Sequence, residues 1–295
     1  MRFNVREIDS RYDFEITGMS YIGNPLDGTC LFLGAKIAGM LVNLKNHRDC
    51  LVFIDASVPV PEEYREKNCF VLAENPQKEY GLFSLKMQKM EEKEQEGWQY
   101  RITPEGYTVG ENVVIGEDAR IEPGCLIDHN VQIGRNAQIG FGSVIRNADI
   151  GDDFICHEYS VIGTESFNLG EAEGYSYRIP SFGKIRIGNH VDLGARVIIE
   201  RGFNSETVIG NNSKIDSDVN IGHDVILKEN VKITCGACLA GRVVVCEGAY
   251  IGMNATVRQR IIIGSKATVG MGASVLMNVR DGETVVGNPA KKMKI

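Results

Sequence analysis

The stretch Ile209-Gly-Asn-Asn-Ser-Lys-Ile215-Asp-Ser-Asp-Val-Asn-Ile221-Gly-His-Asp-Val-Ile-Leu227 returns an aliphatic side chain at every sixth position. The series continues through Ile233, Leu239, Val245, Ile251, Val257, Ile263 and Val269 to Val275, twelve consecutive hits without a miss. A second series follows four residues behind, from Ser213, Val219 and Val225 to Ala273 and Val279, and every member is small or β-branched. A six-residue period fits neither an α-helix, with 3.6 residues per turn, nor an alternating strand, with two. It fits a parallel β-helix, where six residues make one short strand and one corner, and three such units make a coil of 18 residues. The aliphatic residue points into the prism, and the residue four positions on is small because the walls converge there. Corners favour glycine or short polar residues, and Gly210, Gly222, Gly252, Gly264 and Gly270 directly follow first-series positions.

Upstream the same spacing runs from Val109 through Ile115, Ile121, Ile127, Ile133 and Ile139 to Ile145, then Ile150, Cys156 and Ile162. It resumes at Ile187, Leu193 and Ile199, and the step of ten to Ile209 implies about four extra residues bulging out. The larger break, residues 163–186, holds Phe167, Tyr175, Tyr177 and Phe182 and is read as an excursion from the prism. Breaks in a repeat map to loops on one face, often the binding face. Residues 1–100 lack the period. Ile37, Met40, Leu41 and Leu44 predict a short amphipathic helix, Leu51–Ile54 and Phe70–Leu72 predict buried strands, and Tyr80, Phe83, Met87 and Met90 predict a second helix with a charged end. The expected fold is mainly β: a left-handed parallel β-helix of hexapeptide repeats over residues 101–295, with its excursion at 163–186, preceded by a small α/β domain over 1–100.

Composition narrows the function classes. The 295 residues carry 32 basic and 39 acidic side chains, a net charge of −7, which argues against nucleic acid as a partner. No apolar run approaches the roughly 18 residues of a membrane span, and the N-terminus lacks a signal-peptide apolar block, so a cytoplasmic protein is expected. Its eight cysteines are then reduced, most of them small buried residues. Cys235-Gly-Ala-Cys238 alone has a metal or redox spacing, but no second pair or histidine cluster completes a site, so no metal is expected.

A prism supplies a scaffold, and chemistry must come from particular side chains. Among the five histidines, His223 falls two residues after Ile221, at a corner. Gly241 lies 18 residues on and Gln259 a further 18, so all three share one corner in successive coils. A base beside a bare backbone amide suits acyl transfer: one takes a proton from the nucleophile, the other stabilises the oxyanion. Asp224 is placed to orient His223.

The segments Val161-Ile-Gly-Thr-Glu-Ser-Phe, Arg178-Ile-Pro-Ser-Phe-Gly and Thr207 to Ile226, with the Lys-Ile-Asp…His signature at Lys214 to His223, closely resemble the UDP-3-O-acylglucosamine N-acyltransferases of lipid A synthesis. That resemblance implies that His223 is general base on the sugar amine, that Asp216 supports it, and that the Gly241 amide meets the acyl carbonyl. It also implies that residues 1–100 bind uridine. The C-terminal part, ending Val285-Val-Gly-Asn-Pro-Ala-Lys291, looks more like acetyl-CoA-dependent N-acetyltransferases of nucleotide-linked aminodeoxysugars. Through that likeness Asn288, Pro289 and Lys291 become candidates for meeting CoA. Where the lipid A family carries a second functional histidine, this chain has Gln259-Arg260.

The expectation is a homotrimeric N-acyltransferase without a tightly bound cofactor. Its acceptor is a UDP-linked amino sugar and its donor a thioester of CoA, such as acetyl-CoA, or of acyl carrier protein. A non-catalytic trimeric scaffold is the competing class, and the His223–Gly241 column weighs against it.

Overall fold

The computed structural model describes residues 1–172 and 174–287, which fall into two compact units. One comprises residues 98–166 and 183–287 of the described chain, the other 1–97 with 167–182.

The first unit is a parallel β-helix, left-handed, with three walls. The chain visits them in turn: Lys214–Ile215 lies in the first wall, Asn220–Ile221 in the second and Ile226–Leu227 in the third. Each strand then pairs in parallel with the strand one coil on, as in Ile215 with Ile233, Ile221 with Leu239 and Leu227 with Val245. Strands this short are held by neighbours above and below, because each coil's N–H groups find the next coil's carbonyls. All twelve members of the first series and all twelve of the second are buried, so both face inward as the spacing demands.

The corners use glycine and short polar residues, as the sequence suggests, but for two different reasons. Gly210, Gly222 and Gly252 have no left-handed backbone. They are glycine because a Cβ would strike the next coil: at Gly210 it would lie 2.5 Å from the Lys228 carbonyl carbon, and at Gly252 2.6 Å from the Met271 nitrogen. The left-handed position comes three residues after the aliphatic one and recurs every six residues from Asp218 and Asp224 to Gly272. Asn and Asp tolerate that backbone best after glycine, and Arg242, Arg260 and Lys266 adopt it at an order of 1–2 kcal/mol each.

Both insertions leave the prism at one edge. The excursion follows the second-wall strand Val161–Thr164, and the extra residues after Ile199 follow the second-wall strand Ile198–Glu200. The chain rejoins the third wall at Ile185–Ile187 and Thr207–Ile209 respectively. That edge, between second and third walls, also carries His223.

The second unit holds a four-stranded parallel sheet in the order Gly18–Met19, Thr29–Leu33, Leu51–Asp55, Cys69–Ala73. On one face the helix Pro76–Glu94, capped by the Asn75 side chain, buries Tyr80, Phe83 and Met87. On the other, Ala35–Leu44 buries Leu41 and Leu44. The expected short amphipathic helix is a 3-10 helix kinked at Ile37, which leaves Ile37 exposed. Cys69–Ala73 is an edge strand, so Leu72 faces solvent where a fully buried strand was expected. The excursion forms an antiparallel hairpin, Leu169–Ala172 with Tyr175–Arg178, that belongs to this unit and lays Tyr177 against Gly81. Among the described residues no helix is long and apolar enough to cross a membrane.

Candidate active site

His223 sits at the edge between second and third walls because Ile221 and Val225 are both drawn inward, which turns the residues between them around the corner. Its side chain keeps 17% exposure, whereas the Asp224 side chain keeps 3%. The imidazole Nδ1 lies 2.8 Å from Asp224 Oδ2. The Phe203 ring meets the imidazole edge-on at 6.0 Å between centroids, and the His223 amide donates to Glu200 Oε2 at 3.0 Å. The base is thus held through backbone, ring face and ring nitrogen.

Burial pushes the Asp224 carboxyl toward a higher pKa, but hydrogen bonds from His223 and Ser205 outweigh it, aided by the charges of His223 and Arg242. The net shift is downward, so the group is ionised at neutral pH. An ionised carboxylate only accepts hydrogen bonds, so Nδ1 carries a proton, and in the neutral ring the lone pair is then on Nε2.

Gly241 lies in the same edge one coil on, through the pairing of Asn220–Ile221 with Cys238–Leu239. A Cβ placed there would stand 2.5 Å from His223 Nε2, 2.7 Å from Cε1 and 2.9 Å from Cδ2, so the imidazole lies with its face over a residue that has no side chain. Among the described residues the Gly241 amide donates to no backbone carbonyl or side chain. The two preceding counterparts are capped, the Ser217 amide by Asp216 Oδ1 at 2.7 Å and that of His223 by Glu200, whereas those of Glu229, Cys235, Glu247, Met253 and Gln259 are open like Gly241 among the described residues. An imidazole and an open N–H therefore stand on neighbouring coils of one edge. Gln259 occupies the same edge a further coil on, exposed.

Asp216 is elsewhere. It lies at the edge between first and second walls and does not touch His223 within the chain; its Oδ1 caps the Ser217 amide. It lines a groove of about 490 Å³ with His157, Lys214, Lys232 and Tyr250. Asn288, Pro289 and Lys291 lie outside the described residues. Cys235 and Cys238 are free thiols, and among the described residues no three His, Cys, Asp or Glu side chains are grouped to hold a metal. Partial burial pushes the Cys238 thiol up and the Glu200 charge adds to it, which lowers its thiolate fraction.

Sequence reasoning missed the residues that hold the dyad. Phe203 and Ser205 donate backbone amides to Asp224 Oδ1 at 3.0 and 3.1 Å, and Ser205 Oγ donates at 2.7 Å. Thr207 Oγ1 accepts from the Asp224 amide at 2.9 Å, and Arg242 Nε approaches Asp224 Oδ2 at 3.4 Å. The extra residues after Ile199 do not simply bulge outward, since Phe203 and Asn204 are buried. Their one signal was the ten-residue step immediately before the His223 coil.

Residues 109–147 match the family model of the bacterial transferase hexapeptide (six repeats), so the chain carries that repeat. A UDP-3-O-acylglucosamine N-acyltransferase of Coxiella burnetii is 46% identical over 77 residues, 26% of this chain and 22% of the relative. One from a Bradyrhizobium species is 38% identical over 86 residues, 29% of this chain and 24% of the relative. The matched segment thus spans about a quarter of these relatives' length. Among solved structures, the UDP-N-acetylglucosamine O-acyltransferase of Moraxella catarrhalis superposes with a TM-score of 0.50 at 25% identity, covering 64% of this chain and 72% of the other. The UDP-N-acetylglucosamine acyltransferase of Campylobacter jejuni gives 0.53 at 23% identity, covering 61% and 68%, a likeness of fold.

Proposed function

We propose that this chain is an N-acyltransferase that moves an acyl group from a thioester to the amine of a UDP-linked amino sugar. The observation that carries the reading is the packing of the His223 imidazole, held at Nδ1 by Asp224, over Gly241, whose amide has no partner among the described residues. The amine attacks the thioester carbonyl, and His223 takes its proton as the C–N bond forms. The Gly241 amide holds the developing oxyanion, a contribution of about 3–4 kcal/mol. Collapse breaks the C–S bond, and the proton passes from His223 to the departing thiolate. The nucleophile is the substrate nitrogen, so kinetics are sequential with no acyl-cysteine. The raised Cys238 thiol agrees with this. The names of the relatives supply the acceptor class, a UDP-linked glucosamine.

The working unit is a homotrimer. Asp216 and its groove lie one edge away from His223, so a neighbouring copy's Asp216 edge can face the His223 edge across a shared crevice. Donor choice is tested directly. The purified chain is given acetyl-CoA or a 3-hydroxyacyl carrier protein with a panel of UDP-amino sugars, and thiol release and N-acyl product are measured. Turnover with one of these donors supports the reading. Silence with every pair, together with no calorimetric binding of CoA or nucleotide sugar, would replace it with the scaffold.

A further inference from the structure

We infer that the insertion at residues 200–206 is a clamp that fixes the tautomer of His223 through Asp224, with Ser205 as its positioning residue. The inference rests on the proposed role of His223 as base. The two oxygens of Asp224 divide their work. Oδ1 takes three donors, all from the insertion: the amides of Phe203 and Ser205 and the Ser205 hydroxyl, the shortest of them at 2.7 Å. Oδ2 is left for His223 Nδ1 and Arg242. A carboxylate free to rotate about its χ2 could turn either oxygen toward the ring or away from it. One pinned by three donors presents a single oxygen to Nδ1. The insertion is itself tied down within the unit. The Arg201 amide donates to the Thr164 carbonyl at 2.9 Å and its Nε to the Gly183 carbonyl at 2.8 Å, and the Gly183 amide donates to the Gly202 carbonyl at 2.8 Å. The clamp therefore stands on both stems of the larger excursion. Asp224 gains no such support from its own six-residue unit, so a regular hexapeptide corner at this place would hold the carboxylate by far fewer bonds.

The test compares Ser205→Ala with the conservative Ser205→Thr in the full chain, and Ser205→Cys as a near-isosteric weak donor should the alanine variant fold poorly. Chains labelled with ¹⁵N-histidine report the protonation of each imidazole nitrogen by chemical shift, independently of turnover. In the wild type and Ser205→Thr, Nδ1 of His223 should read as protonated and Nε2 as bare. In Ser205→Ala and Ser205→Cys the two shifts should move toward each other, kcat should fall about tenfold, the scale of one lost charge-assisted hydrogen bond, and KM should change less than about twofold. Unchanged nitrogen shifts in Ser205→Ala would overturn the clamp whatever the activity does. Merged shifts with unaltered kcat would keep the clamp and instead remove His223 from the reaction.

Discussion

Adding a single methyl group at Gly241 should disable the site while leaving the prism standing. Gly241 lies outside the left-handed region, so its backbone accepts alanine without conformational strain. The new Cβ would lie 2.5 Å from His223 Nε2, 2.7 Å from Cε1 and 2.9 Å from Cδ2, whereas ordinary contact begins near 3.4 Å. The ring must retreat by about 1 Å, yet its Nδ1 is tethered to Asp224 at 2.8 Å. Either the tether stretches or the coil spreads, and overpacking of this kind costs about 1–3 kcal/mol. Displacing a catalytic group by about 1 Å costs on the order of 10²-fold in rate. The expected result for Gly241→Ala is therefore a kcat loss near 10²-fold with a modest fall in melting temperature. Gly210→Ala is the control. Its Cβ would strike the Lys228 carbonyl carbon at 2.5 Å, a collision as close but with rigid backbone and with no imidazole among its nearest atoms. That variant should lose stability yet keep turnover below its melting temperature. Steady-state kinetics and thermal unfolding of both variants decide the matter, and a Gly241→Ala enzyme within about threefold of wild-type kcat would refute the geometry.

Three further outcomes are expected. The Asp224 carboxyl has its pKa lowered in the folded chain, so the stability it contributes is complete above the ordinary carboxylate range and is lost as pH falls through the folded value. Asp224→Asn should accordingly be less stable than wild type at pH 7, and the gap in melting temperature should close below about pH 4; a gap independent of pH would contradict the ionised pair. Cys238→Ser should retain near-normal turnover, whereas an acylated Cys238 trapped by mass spectrometry would replace direct transfer with a ping-pong route. Leu227→Ala empties a fully buried first-series position, where about 2–5 kcal/mol should be lost in denaturant unfolding.

The six-residue series was legible because each hit records one physical event, a side chain turned into a narrow interior, and a missed position would open a cavity between stacked coils. Glycine was legible as punctuation but not in its reason. Sequence shows that Gly222 follows Ile221; only the coil spacing shows that its Cβ would crowd the Gly241 nitrogen at 2.8 Å. The left-handed corner is spread over Asp, Asn, Gly, Arg and Lys, with Tyr159 and His190 as well, so no single residue type marks it. His223, Gly241 and Gln259 could be aligned by counting eighteen. Phe203, Ser205 and Arg242 could not, since two of them lie in an insertion without a period and the third acts through a buried ion pair. In the N-terminal unit the spacing of Ile37 to Leu44 suited an α-helix, yet a 3-10 turn buries Leu41 and Leu44, and the kink leaves Ile37 outside.

The most direct measurement is turnover by His223→Ala, assayed with the donor and acceptor the wild type accepts and with its fold verified by circular dichroism. A base that moves the proton in the rate-determining step predicts a kcat lower by roughly 10²–10⁴-fold with the melting temperature close to wild type. A folded variant that turns over at a near-normal rate would show that the imidazole at this edge is not the base.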